Sequence, residues 1–143
     1  MAFKQAVTIV VADDFAPFRR LVRSKLQQSE FYTVIEASDG IEAVAMATKF
    51  RPDLVLLDIE MPNLDGLKAA AQIRSISPES RILFVSTHCD PGLVQSALSD
   101  GAVGYLCKAD INHELLPAIE AALACAKFVS ARLRPYVGRE STG

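Results

Sequence analysis

The chain has almost no surplus of charge: 15 Lys and Arg stand against 17 Asp and Glu over 143 residues, a formal net charge of −2. No overall field draws such a chain toward nucleic acid or an anionic membrane, and direct DNA binding by this segment is not expected. Cysteine is scarce as well. Cys89, Cys107 and Cys125 are odd in number and lack the close spacing of a zinc knuckle or a redox couple. They read as small buried hydrophobes in a reducing compartment. No stretch approaches the roughly 20 apolar residues that span a bilayer. The first apolar run meets an acid pair at Asp13 and Asp14 instead of a small-residue cleavage site, so it does not read as a signal peptide. Internal repeats and low-complexity tracts are missing too. The expectation is a cytoplasmic protein without membrane contact, half apolar, large enough for one domain with a real core and too small for two.

What the chain does have is a recurring pattern. Apolar, largely β-branched runs at 7–12, 54–57, 82–85 and 103–107 are fully apolar or nearly so, as expected of strands covered on both faces, and a more polar strand is expected at 32–37. Helical spacing intervenes each time. Phe15, Phe18, Leu21, Val22 and Leu26 form one stripe, with Asp13 or Asp14 placed to cap that helix. Ile41, Val44, Ala45 and Thr48 form a second stripe, and Leu67, Ala70, Ala71 and Ile73 a third. Leu93, Val94, Ala97 and Leu98 make a fourth, closed by Gly101. The last runs through Ile111, Leu115, Ile119, Ala122 and Ala126, with Pro117 an expected irregularity. Strand and helix alternating at this period imply βαβ units and a parallel sheet. The polar segment 138–143 reads as a tail or the beginning of a linker.

Each strand also delivers a polar residue at its carboxyl end: Asp13 and Asp14, Asp58, Ser86 and Lys108. Open α/β sheets build their sites there. Adjacent carboxylates repel unless a cation offsets them, and a hard divalent ion held by carboxylates, a backbone oxygen and water fits this ligand set. A carboxylate beside such an ion and an ammonium group is equipped to attack phosphorus, with an acyl phosphate as product. Taken singly, the same residues are ordinary caps, solvated strand ends and a surface lysine. Asp65-Gly66 reads as structural, the carboxylate capping the next helix and the glycine supplying backbone freedom. Tyr105 reads as core by default, and His88 and His113 as surface or helix-end residues.

These pieces resemble the receiver domain of bacterial response regulators, across about residues 5–128. The matching stretches are Val-Ala-Asp-Asp at 11–14, Leu-Leu-Asp-Ile-Glu-Met-Pro-Asn-Leu-Asp-Gly at 56–66, Phe-Val-Ser-Thr at 84–87 and Gly-Tyr-Leu-Cys-Lys at 104–108. The resemblance implies a flavodoxin-like (CheY-like), doubly wound, five-stranded parallel sheet of order 2-1-3-4-5, an order for which a receiver protein is a standard illustration. It implies a two-component system in which a sensor histidine kinase or phosphotransfer protein phosphorylates Asp58. Mg²⁺, or Mn²⁺ in its place, would be held by Asp14, Asp58 and the main-chain carbonyl of Glu60, with Asp13 acting mostly through metal-bound water. Lys108 and Ser86 would read the arrival of the phosphoryl group, Ser86 and Tyr105 acting as the switch. The face made by the fourth helix, fifth strand and last helix would change. Glu60 and His88 occupy the flanking positions that tune phosphoryl lifetime in the family, and Ser86 stands where Thr is often found.

Ala-Lys-Phe-Val-Ser-Ala-Arg-Leu at 126–133 resembles the joint between receiver and helix-turn-helix in LuxR-type (NarL/FixJ-like) transcription regulators. Residues 129–143 are therefore expected to be a tail or linker toward an output domain not in this chain, through which DNA would be bound, with homodimerisation on phosphorylation compatible with that role. A stand-alone regulator is the alternative. Three rivals are weighed against these. A haloacid-dehalogenase-like phosphatase would place its nucleophile after the first strand and need a capping insertion. A flavodoxin-type cofactor binder would want small residues where Asp13 and Asp14 stand. A degenerate, unphosphorylated receiver would have lost some of these residues. The expected behaviour is a switch, not an enzyme acting on other substrates.

Overall fold

The computed structural model describes residues 6–137, so the expected tail at 138–143 lies outside the described residues. Strand and helix alternate as β1 (Val7–Ala12), α1 (Ala16–Leu26), β2 (Tyr32–Ala37), α2 (Gly40–Phe50), β3 (Leu54–Leu57), α3 (Gly66–Ile76), β4 (Arg81–Ser86), α4 (Pro91–Ser99), β5 (Gly104–Cys107), α5 (Ile111–Leu123) and β6 (Phe128–Val129). A 3₁₀ helix, Ala131–Tyr136, comes last. All neighbouring strands pair in parallel, in the order β2-β1-β3-β4-β5-β6.

The sheet thus has one strand more than the sequence predicts. Phe128 and Val129 are too few to produce a period of their own, and they pair only because the chain turns back along the free edge of β5 after α5. That turn also shortens α5, which ends at Leu123 and leaves Ala126 exposed outside it. Pro117 does not break the helix; it sits on the exposed side, where water can take the carbonyl it leaves unpaired.

Because side chains alternate across each strand, the sheet makes two cores. Val10, Val55, Leu57, Ile82 and Phe84 face a cluster shared with α2, α3 and α4, while Ile9, Val11, Leu56, Leu83 and Leu106 face one shared with α1 and α5. In α2 the buried positions are Gly40, Ala43 and Ala47, not the expected stripe, and Ile41, Ala45 and Thr48 are not among them. Small residues win here because α2 is pressed against both β1 and α3. The same preference in α3 buries Ala69 and exposes Ala71.

Caps are partly as expected. Asp65 accepts from Lys68 N at 2.9 Å, and Gly101, at φ 112, ends α4 in the left-handed region. The N-cap of α1, by contrast, is Phe15, and no side chain caps it. Pro17 removes one of the amides a cap would satisfy, and Asp13 spends only one oxygen locally, accepting from Phe15 N at 2.8 Å.

Gly66 positions the site by what it lacks in bulk, not by an unusual backbone angle. A Cβ there would lie 1.9 Å from the carbonyl oxygen of Asp58, and Gly66 N bonds to Ile59 O at 2.7 Å. Only a bare α-carbon lets α3 begin against the end of β3. Gly66→Ala is expected to cost at least about 2 kcal/mol in urea unfolding, because the obstructing atom is backbone and cannot rotate away; an unchanged midpoint would contradict this close approach.

Candidate functional site

The chain order reverses between β1 and β3: β2 lies on one side of β1, and β3, β4 and β5 succeed one another on the other. A crevice opens at the carboxyl ends of the strands at such a point. Asp13 and Asp14 come directly after β1 and Asp58 directly after β3, so the reversal itself brings three carboxylates together. One oxygen from each lies within 4.8 Å of the others. Asp58 N bonds to Ala12 O at 3.0 Å and Asp13 N to Ala37 O at 3.1 Å, extending the strand ladders to the acids themselves. Asp13 and Asp58 are buried and Asp14 is exposed.

Lys108 enters from the end of β5. Its Nζ lies 2.5 Å from Asp13 Oδ2 and 3.3 Å from Asp58 Oδ2, and 4.5 Å from the centre of the Phe18 ring, which screens it from water on one side. Asp13 Oδ2 is shielded from solvent and is met by the Lys108 ammonium. Burial, and then the charge of Asp13, push the Asp58 carboxyl above the usual aspartate value, with Lys108 opposing. For Lys108, burial works against the charge, but the hydrogen bond to Asp13 and the nearby Asp58 outweigh it and raise its pKa. The ammonium stays protonated, and it is one positive charge for the two acids it touches, with Asp14 beside them.

Ser86, at the end of β4, is fully buried, and its Oγ accepts from His88 N at 3.0 Å. The Tyr105 hydroxyl donates to His88 O in a short hydrogen bond. Burial raises the Tyr105 pKa to about 12 despite a hydrogen bond with Ser86. Tyr105 is enclosed, with its ring 6.0 Å from that of Phe84. Glu60 lies with Asp14, Met61, Pro62 and Asp65 around one shallow depression at the rim. His113 is an exposed residue in the first turn of α5, away from the cluster.

Several neighbours could not be anticipated from spacing. His88 Nε2 lies 2.6 Å from Glu60 Oε1, joining two loops that flank the acids. Arg19 Nη1 donates to Asp13 O at 2.7 Å while its Nε holds Glu36, fixing the β1 end to α1. Phe15, Pro17, Phe18, Leu21, Thr87 and Lys108 line an open, mainly apolar groove beside the site, with Phe15 60% exposed. The expectation of three separate thiols is corrected: Cys89 and Cys107 are joined by a disulfide, with Cα atoms 6.0 Å apart, and Cys125 is free and exposed. A separation of 18 residues carries no motif, and only the pairing of β4 with β5 brings these two together.

Three clustered carboxylates, two of them sharing one ammonium, form a donor set suited to a hard divalent cation. No helix among the described residues is long and apolar enough to cross a membrane. Known proteins are similar to this chain. The chain is 39% identical over 124 residues to a protein described as probable transcriptional regulatory protein NarL from Mycobacterium tuberculosis, covering 86% of this chain and 56% of that one. It is 34% identical over 114 residues to the chemotaxis protein CheY of Listeria monocytogenes, covering 80% of this chain and 96% of that protein. A crystal structure of a LuxR-family two-component response regulator from Aurantimonas superposes with a TM-score of 0.87 at 29% identity, over 97% of this chain and 100% of that one. The chain therefore spans little more than half of the NarL relative but nearly all of the CheY one. The response regulator receiver domain model matches residues 9–120, taking in all three strand-end acids and the lysine. On the sheet order, the acid cluster and these matches together, the chain belongs to the response regulator receiver domain family.

Proposed function

We propose that Asp58 accepts a phosphoryl group from the phosphohistidine of a sensor histidine kinase or phosphotransfer protein, and that this chain is the phosphorylated switch of a two-component system. The observation that carries the reading is Asp58 held between Asp13, Asp14 and the Lys108 ammonium at a strand-order reversal. Asp14, Asp58 and the main-chain carbonyl of Glu60 would hold Mg²⁺, or Mn²⁺ in its place, with Asp13 reaching it mostly through water. When bound, the cation neutralises charge that otherwise keeps nucleophile and phosphoryl group apart. Asp58 supplies the attacking oxygen, and Lys108 offsets the charge of the resulting acyl phosphate. By likeness to the family the Ser86 hydroxyl, whose Oγ accepts from His88 N at 3.0 Å, would turn from Tyr105 to donate toward a phosphoryl oxygen. The apolar groove from Phe15 to Leu21 offers the phosphodonor protein a seat beside the acceptor.

The chain is its own phosphoryl acceptor and not an enzyme for other substrates. In the regulators it resembles, such a switch serves transcription, and by that likeness the output here is a DNA-binding domain beyond the receiver, with dimerisation on phosphorylation. The domain would run over 5–128, with residues 129–143 leading toward that output in the cytoplasm. A stand-alone regulator acting through protein contacts is the second reading, favoured by the near full-length match to a chemotaxis protein.

Incubation with Mg²⁺ and a small phosphodonor is expected to add one phosphoryl group to the wild type and none to Asp58→Asn by intact mass; no adduct on the wild type, with the donor shown competent on another receiver, would sink the reading. Asp13→Asn is expected to melt a few degrees higher than wild type without metal, on the scale of roughly 1 kcal/mol, since one of three crowded charges is gone. Millimolar Mg²⁺ should then raise the wild-type melting temperature more than that of the variant. A carboxyl whose folded pKa lies above its unfolded value favours folding while protonated, so this contribution is lost as pH rises through the raised value. Metal-free stability should fall over that acidic window in the wild type and less so in Asp58→Asn, as read by urea midpoints at successive pH values. Glu60→Gln is expected to lengthen the phosphoryl lifetime about three-fold or more, because the carboxylate at the rim can take a proton from the attacking water. Equal decay of the two acyl phosphates by time-resolved mass would contradict that role.

A further inference from the structure

The disulfide between Cys89 and Cys107 takes no part in the chemistry proposed for Asp58, yet it closes directly onto the site. Cys107 ends β5 and is followed at once by Lys108, whose ammonium meets Asp13 and Asp58. Cys89 follows His88, whose ring reaches Glu60 at 2.6 Å across the rim. One covalent bond thus lies a single residue from the ammonium and a single residue from the rim contact. Ser86 stands opposite Cys107 in the ladder between β4 and β5, so the bond closes residues 86–89 into a ring against β5. The loop is pinned at both ends.

The two sulfurs differ in access, and each has a place in the reduced state. Cys107 is 2% exposed, in the cluster that holds Phe84 and Tyr105, where a thiol packs as a small hydrophobe. Cys89 is only partly buried, and its Sγ lies 3.6 Å from Ser86 O, a carbonyl able to accept the proton of a thiol. An external thiol can therefore reach one sulfur, and the bond can open without rebuilding the core. Cys125 lies beside Arg81, at the opposite end of β4, and is no partner for either. Disulfides in a reducing compartment, the setting proposed for this chain, are usually transient and redox-sensing instead of structural.

We propose that Cys89 and Cys107 form a reversible thiol–disulfide couple that sets how fast phosphoryl groups enter and leave Asp58. The inference rests on Asp58 being the phosphoacceptor. In the oxidised chain the pinned loop holds His88 against Glu60, a contact that joins the two loops flanking the acids, and narrows the approach of a phosphodonor. The engaged Glu60 carboxylate is also withheld from an attacking water. Reduction leaves the loop held only by hydrogen bonds, from the Tyr105 hydroxyl to His88 O and from His88 N to Ser86 Oγ, and the approach opens. The step is an exchange: a reductant thiolate attacks Cys89 Sγ, the bond between the sulfurs breaks, and its electron pair leaves on Cys107 Sγ, which takes up a proton. A second reductant thiol displaces Cys89 from the mixed disulfide, giving a Cys89 thiol and an external disulfide. Two electrons and two protons pass from the thiol reductant to the chain, and oxidation by an external disulfide reverses each step.

The test uses the full chain carrying Cys125→Ser, so that the exposed thiol forms no adducts. One sample is oxidised with glutathione disulfide and one reduced with dithiothreitol; each is freed of reagent and given Mg²⁺ and phosphoramidate as phosphodonor. After denaturation without reductant, iodoacetamide should add no group to the oxidised chain and two to the reduced one, at Cys89 and Cys107. By intact mass, the oxidised chain should gain its phosphoryl group about five-fold or more slowly, and lose it about three-fold or more slowly once the donor is removed. Cys89→Ser should match the reduced chain in both rates whichever reagent it has met. Cys107→Ala removes the same bond from the other side and repeats the comparison should Cys89→Ser fail to fold. Two groups added to the oxidised chain would show that no couple forms, and equal rates in the two states would leave the disulfide a plain cross-link; either result overturns the proposal. If neither state takes up phosphate, with the donor shown competent on another receiver, the phosphoacceptor reading falls and this proposal with it, and the alkylation count tells that failure from the others.

Discussion

The repulsion among Asp13, Asp14 and Asp58, answered inside the protein by one ammonium, is the constraint on which the rest of the structure turns. A parallel sheet whose order reverses at β1 must leave the ends of β1 and β3 side by side, and both ends carry acids. The fold tolerates this because both cores beneath are closely packed and the strand ladders continue to the acids through Asp13 N and Asp58 N. Lys108 relieves part of the strain from β5, two strands away from β3. What remains uncompensated is a set of oxygens suited to a hard divalent cation. Stability is given up where reactivity is required.

That constraint also explains which parts were legible in the sequence. Asp13, Asp14, Asp58, Ser86 and Lys108 each close an apolar run, so a strand pattern was enough to place them at one end of one sheet. Strand positions were readable for the same reason, since runs buried on both faces admit almost no polar residue. Helix faces were less so: Ala43 and Ala47 lie inward while Ile41 lies outward, because the distance available between α2, β1 and α3 outranks hydrophobicity. Spacing had no means of showing Glu60 against His88, Cys89 against Cys107, or Arg132 against Asp110. Each of those pairs depends on how loops from non-adjacent elements meet. β6 was invisible because two residues carry no period.

The two ends of the molecule's logic sit close together. Tyr105 belongs to one cluster with Val129 and Leu133, and its hydroxyl reaches the loop after Ser86, so that cluster extends from the site's rim to the last described residues. Interiors this dense move between discrete arrangements and do not bend gradually.

Gly66 carries a different kind of consequence. Its α-carbon rests against the Asp58 carbonyl, its amide closes back on Ile59, and Asp65 beside it caps α3. The loop from 59 to 65 is thereby a measured span, pinned at both ends within bonding distance of the acceptor. Its chemistry can drift, as the exposed Glu60, Pro62 and Asn63 permit, but its length cannot. Over long divergence such a loop would record many substitutions and scarcely any insertion, an unusual signature for a surface turn, because the backbone that fixes its length is the backbone that carries the Asp58 carboxylate.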